Sequence, residues 1–164
     1  MCYIDCIPTK FDKIWYYFKV QFWQLITNLL HLPKSVRDMN IPDKLKYTND
    51  HEWVKIDGEI AIVGITDFAQ SELGDIVYVE INTIGDIVEK DSVFGTVEAV
   101  KTVSDLFMPI TGEILEVNSA LEESPEIINN EPYESGWIIK IKIEDIDQIN
   151  QLLDSDAYKN IIGG

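Results

Sequence analysis

Cysteine, histidine and positive charge are scarce in this 164-residue chain, and each scarcity removes a class of function. The two cysteines, Cys2 and Cys6, both stand at the start, so the body of the protein can hold neither a disulfide framework nor a cysteine-built zinc site. The two histidines, His31 and His51, are too few for a histidine-rich metal centre or a conventional nucleophile-histidine-acid triad, and His51 as a lone base would need partners that a single histidine seldom finds. Thirteen Lys and Arg stand against twenty-nine Asp and Glu, a formal net charge of -16. The imbalance lies beyond Asp38, where eight basic residues face twenty-six acidic ones, a net of -18. So acidic a surface repels phosphate backbones and anionic membranes, which argues against nucleic acid as a partner. It suits either plain solubility or steering towards enzymes with basic docking faces.

A clean membrane span is missing as well. Residues 1–40 form an N-terminal extension in which Phe11, Ile14, Trp15, Phe18, Phe22, Trp23, Leu25, Leu29 and Leu32 crowd together, but Lys19 divides the run and leaves too short an uncharged stretch. No small-residue cleavage site of the secretory kind follows it. The segment reads as a net-positive amphipathic targeting helix, with a membrane-associating helix or a retained extension as alternatives. Pro33 ends it, and Ile41-Pro42 opens the domain of residues 41–164.

What is present in that domain is β-structure. Trp53-Val54-Lys55-Ile56 and Glu59-Ile60-Ala61-Ile62-Val63 flank Asp57-Gly58, a hairpin signal because both residues tolerate positive φ. Thr66 or Asp67 can cap a short helix closed by Gly74. The run Ile76 to Ile81 is apolar on both faces in part, which predicts a central strand. Residues 119–130 read as a loop with a turn or helix start at Ser124-Pro125, and residues 136–143 alternate apolar and basic as a half-exposed strand should. The tail carries Ile146, Ile149, Leu152, Leu153, Tyr158 and Ile161 at helical spacing. The pattern predicts a mainly β sandwich or flattened barrel with peripheral helices.

The most informative stretch is residues 94–105. Thr96, Val97, Val100, Thr102 and Val103 favour two pleated strands, and Lys101 is the one long cationic side chain among them. Gly95 before it and Gly112 after it stand where a sheet that curls back needs residues without a Cβ. From spacing alone, Lys101 is either a solvated turn lysine or an amine presented to a modifying enzyme.

Glu98-Ala99-Val100-Lys101 with Ser104-Asp105, Pro109 and Gly112 resembles the modified-lysine region of the glycine cleavage system H proteins. Further stretches look like landmarks of that family in its order: Lys46-Tyr47-Thr48-Asn49-Asp50-His51-Glu52-Trp53-Val54, Gly64-Ile65-Thr66-Asp67-Phe68-Ala69-Gln70, Leu73-Gly74-Asp75, Ile128-Asn129, and Pro132-Tyr133 with Gly136-Trp137. The resemblance covers about residues 41–162. It implies the barrel-sandwich hybrid fold of lipoyl and biotinyl domains, and lipoic acid in amide linkage to Lys101. It implies a non-catalytic carrier that takes the aminomethyl group of glycine from a pyridoxal-phosphate glycine decarboxylase to a tetrahydrofolate-dependent aminomethyltransferase. A flavoprotein dihydrolipoamide dehydrogenase then reoxidises the arm, and a lipoylating enzyme loads it. Relay of lipoyl groups to other complexes is a further implied role.

By the same resemblance Glu52 and Asp105 line the cleft that shelters the loaded arm. Asp50 stands there where serine is common, and Glu98 and Gly112 are candidates for recognition by the lipoylating enzyme. Mitochondrial members carry presequences, which implies a mitochondrial matrix location with a transit peptide. Ordinary solvated acids remain the alternative for Glu52 and Asp105. A biotin carrier would favour methionine on both sides of the lysine, where Val100 and Thr102 stand. An acyltransferase lipoyl domain usually has Asp before its lysine. An unmodified β binding module is the third alternative.

Overall fold

A computed structural model of the chain describes residues 39–163, all of which fall in the second of the two units into which the chain divides, Lys34–Gly164. The targeting segment expected from residues 1–40 therefore lies almost wholly outside the described residues. In chain order the strands are β1 (Lys46–Tyr47), β2 (Glu52–Asp57), β3 (Ile60–Ile65), β4 (Ile76–Glu80), β5 (Ile87–Val88), β6 (Val93–Ala99), β7 (Thr102–Phe107), β8 (Gly112–Val117) and β9 (Ile139–Ile143). The helices are α1 (Asp67–Leu73), α2 (Ala120–Glu123), α3 (Ile127–Asn130) and α4 (Ser155–Gly163), with a 3-10 turn at Ile146–Gln151.

All pairings are antiparallel and form two sheets, one ordered β1-β2-β3-β9-β8-β5 and one ordered β4-β6-β7. Period-2 alternation sends Val54, Val63, Ile114 and Ile141 of the larger sheet and Val97 of the smaller into one shared core, which Phe94 and Leu106 join across the register shift between Val93 and Gly95. Each such side chain, fully buried, contributes roughly 1.5–3 kcal/mol. The first half of strand β2 is buried on both faces, while Lys55 and Asp57 further on are exposed. Its Trp53 points away from Val54 into a second cluster with Tyr47, Tyr158 and Ile162, where the Tyr47 and Tyr158 rings stack 4.7 Å apart. The indole N–H donates to the carbonyl of Pro132 at 2.9 Å. Across the ladder stands Gly64, where a Cβ would come within 2.7 Å of the indole ring. Helix α4 thus closes the outer side of the sheet that the hairpin β2-β3 builds.

Four expectations are corrected by the structure. Strand β4 is an edge strand and not a central one, with Val77 and Tyr78 exposed: apolar content shows that a face is not polar, not that another strand covers it. The two-residue loop of the first hairpin is Gly58-Glu59, since Asp57 still pairs with Ile60, and Gly58 supplies the positive φ of 64°. Residues 119–130 hold two single-turn helices rather than an irregular loop. In the tail the buried set is Leu152, Tyr158 and Ile162, while Ile146 and Ile161 are exposed, because the 3-10 turn before α4 shifts the helical phase.

Candidate functional site

Strands β6 and β7 pair from Val93 with Phe107 to Ala99 with Thr102, leaving Val100-Lys101 as a two-residue loop. Neither loop residue has positive φ, so the turn needs no glycine and can carry a long side chain. Lys101 is exposed, and among the described residues it forms no ion pair or hydrogen bond.

The tip does not project freely. The Val100 N–H donates to the carbonyl of Asp75 at 3.0 Å, tying the hairpin to the loop between α1 and β4. That loop is clamped in turn by Asn129 on α3. Its Nδ2 donates to the carbonyl of Gly74 and to Gln70 Oε1, both at 2.9 Å, and its Oδ1 accepts from the Ile76 N–H at 3.0 Å. Gly74 closes α1 with φ 85°, and the Lys101 stem lies beside it, with Cε 3.3 Å from where a Cβ would stand. A residue with a side chain there would be strained and would crowd the lysine.

Beside β7 opens a cleft of about 290 Å³. Ile65, Phe68, Leu73, Val97 and Leu106 give it apolar walls, and Asp50, Glu52, Glu72 and Asp105 give it carboxylates. The three acids expected from the sequence are thus brought together from β2, its preceding loop and β7. They differ in state. Asp50, Glu72 and Asp105 are exposed at the mouth, whereas Glu52 is 2% exposed. One Glu52 oxygen accepts from the Phe107 N–H at 3.1 Å and the other from the Thr48 hydroxyl, while the Glu52 N–H donates back to Thr48 Oγ1 at 3.0 Å. Glu52 therefore links the larger sheet to the smaller one through β7. Burial pushes its carboxyl above the ordinary value, against the hydrogen bonds, which lower it.

His51, also on the cleft, has φ 75°; its carbonyl accepts from the Thr66 N–H at 3.0 Å and its Nδ1 lies 2.9 Å from the Tyr158 hydroxyl. Burial holds its imidazole below the ordinary value, while Asp50 and Glu72 oppose that shift. Tyr158, pushed up to about 12 chiefly by burial, also meets the Thr66 hydroxyl at 2.8 Å, so a neutral chain of side chains braces the start of α1.

Of the remaining candidates, Glu98 is exposed on β6, paired across to Tyr78 and Val103. Gly112 is buried at the start of β8, where a Cβ would come within 2.5 Å of the Lys142 carbonyl. Sequence reasoning missed Glu72 as a cleft acid, together with the clamping roles of Asp75 and Asn129. Glu72 carries a signal, since it shares a helical turn with Phe68 and Ala69, which also line the cleft. Asn129 acts through backbone atoms about fifty residues away, and nothing in its local sequence shows that.

Two apposed antiparallel sheets with a single lysine raised on a tied hairpin beside an acidic, apolar-walled cleft define a carrier domain of the barrel-sandwich hybrid type. The chain belongs to the glycine cleavage H-protein family, whose model matches residues 45–163. It is 56% identical over 126 residues to the glycine cleavage system H protein of Bacteroides thetaiotaomicron, covering 77% of this chain and all of that one. It is 57% identical over 127 residues to that of Chlorobium limicola, covering 76% of this chain and 99% of that one. The crystal structure of a glycine cleavage system H protein from Mycobacterium marinum is similar at a TM-score of 0.69 and 37% identity, over 76% of this chain and all of that one.

These relatives correct the expected location. They come from bacteria, which have no mitochondria, so the mitochondrial matrix and the transit peptide are withdrawn. The physical reason for the error is that net positive charge and amphipathic spacing in residues 1–40 are compatible with several fates. Among the described residues no helix is long and apolar enough to cross a membrane.

Proposed function

We infer that the chain is the lipoyl-bearing carrier of the glycine cleavage system, with lipoic acid in amide linkage to Lys101 and no catalytic step of its own. The observation that carries this reading is the two-residue tip, exposed at Lys101 and tied at Val100, beside a cleft that combines apolar walls with carboxylates. Lys101 would hold a lipoyl group, which would supply a disulfide able to take the aminomethyl group on one sulfur with the other left as a thiol, both sulfurs being thiols only once that group is handed on. Residues 41–164 serve as the carrier unit, with residues 1–40 as an extension to it.

The residues divide the work by position. Lys101 holds the stem, and the Asp75 carbonyl and Gly74 fix the direction in which that stem leaves the sheet. The carboxylates of Asp50, Glu72 and Asp105 attract the cationic end of a loaded arm, and Phe68, Leu73 and Leu106 keep water from its apolar part. Glu52 positions the cleft wall through Phe107 and Thr48. A tethered arm raises the effective concentration of its cargo at each partner. Those partners are the pyridoxal-phosphate glycine decarboxylase, the tetrahydrofolate-dependent aminomethyltransferase, the flavin dihydrolipoamide dehydrogenase and the lipoylating enzyme, with lipoyl relay to other complexes as an added role.

Purification after co-expression with a lipoylating enzyme tests the reading. Peptide mass should show a lipoyl increment confined to the peptide holding Lys101, and Lys101→Ala should keep its fold and take no increment. A folded, unmodified parent protein would overturn the assignment.

A further inference from the structure

The two sheets leave a seam open on the side away from the arm cleft. Strand β4 ends the smaller sheet and pairs only with β6, while its other side faces the end of β8 and helix α2 without any strand pairing. Among the described residues, no backbone group of Val77 to Asn82 makes a backbone hydrogen bond outside the ladder with β6. Other sheet ends are tied: Tyr47 on β1 exchanges two backbone bonds with Leu153, and Phe107 on β7 donates its N–H to Glu52. Along the open edge runs a groove of about 340 Å³. Val79, Ile81, Val117 and Leu121 line it, and the first three are only half-buried although they pack against the shared core. Glu80 and Glu122 stand exposed at its rim, one from each wall, and no basic residue lines it. An unpaired row of peptide N–H and C=O groups beside apolar side chains that water still reaches is the template to which a further strand adds.

We propose that this groove takes an extended segment of a partner protein as a fourth strand of the smaller sheet, and that the segment alternates Lys or Arg with small apolar residues. Main-chain bonds to residues 78–82 supply the pairing, the apolar side chains enter the groove over Val79 and Ile81, and the basic ones meet Glu80 and Glu122. Charge excludes a second copy of this chain as the occupant. Its end strands β4, β5 and β7 contain no basic residue, β1 with Lys46 is tied to Leu153, and two β4 edges would bring Glu80 against Glu80. The groove also runs away from the lysine. Ile76 pairs with Ala99 beside the tip, and Ile81 lies five residues, roughly 17 Å, further along. A segment held there leaves Lys101 uncovered, so it fits a partner that keeps the domain close while the tip stays free to act. The proposal goes beyond the carrier reading and requires no group on Lys101.

The test titrates the full unmodified chain, labelled for amide NMR, with the synthetic peptide acetyl-Lys-Val-Lys-Val-Lys-Val-amide. Amide resonances should shift at residues 78–82 and 117–122, with slowed hydrogen exchange along 78–82. Glu80→Lys/Glu122→Lys, two exposed positions, should keep its fold by circular dichroism and bind the peptide at least about tenfold more weakly. The peptide with every lysine replaced by glutamate should lose binding to the parent by a similar factor. Two further versions, N-methylated on the valines or on the lysines, separate strand addition from charge attraction. A strand offers its neighbour the N–H groups of alternate residues, so one version should bind at least about tenfold more weakly and the other as the unmethylated peptide does. No shift with the probe, equal binding of the glutamate peptide, equal binding of the two methylated forms, or shifts confined to Asp50, Glu72 and Asp105 of the cleft would each overturn the proposal. A lipoyl increment at Lys101 is read by mass in a separate experiment, so the carrier reading and this one fail independently.

Discussion

At the scale of single residues, Glu52 shows how one side chain can match its sequence position and yet do a different job from its neighbours. Its carboxyl is buried and held above the ordinary value of 4.5. In the folded protein it holds its proton more tightly than in the unfolded chain. Its contribution is therefore fully present below about pH 4.5 and is lost as pH rises through the raised folded value. Glu52→Gln, neutral throughout, should gain stability relative to the parent across that window. Urea unfolding of both proteins at about pH 4 and about pH 7 measures the change. A stability difference that stays constant between the two would show that the bonds from Phe107 and Thr48 fully offset burial. Lys101 is the opposite case, exposed and unpaired among the described residues, and its place at a hairpin tip was legible in the sequence from the strand-forming residues on either side.

The element that decides where Lys101 points is the loop between α1 and β4, not the hairpin itself. Asn129 holds Gly74 and Ile76, and Asp75 between them holds Val100. Asn129→Ala removes three hydrogen bonds and leaves partly buried backbone partners unmatched, a loss of about 1–3 kcal/mol. Two readouts should move together: a lower unfolding midpoint and faster hydrogen exchange at the Val100 amide. A lower midpoint with unchanged exchange at Val100 would mean that α3 stabilises the fold without steering the tip. The helix cap at Thr66 was readable from its residue type, because a hydroxyl accepting the Ala69 N–H is a local event. The Asn129 clamp was not readable, because its three partners converge only after α3 packs against α1.

For the whole molecule, charge and layering set the behaviour. A net of -18 beyond residue 38 raises the rate of association with any basic partner, and salt screens that gain away. The KM of the modified protein for a dihydrolipoamide dehydrogenase should rise severalfold between about 0.02 and about 0.5 M NaCl, with kcat nearly constant. A KM independent of salt would leave the acidity a matter of solubility. The same distinction between local and assembled properties separates what the sequence determined from what the tertiary structure decided. Strand propensity, turn residues, helix capping and charge are properties of neighbours along the chain. They determined the β-rich class, the hairpin around Lys101, the helix after Thr66 and the acidic surface. The edge position of β4 with its exposed Val77 and Tyr78, the buried state of Glu52 and the gathering of four acids at one cleft depend on which sheet covers which face. Only the apposition of the two sheets decides that, because alternation along a strand gives two faces without saying what lies against either.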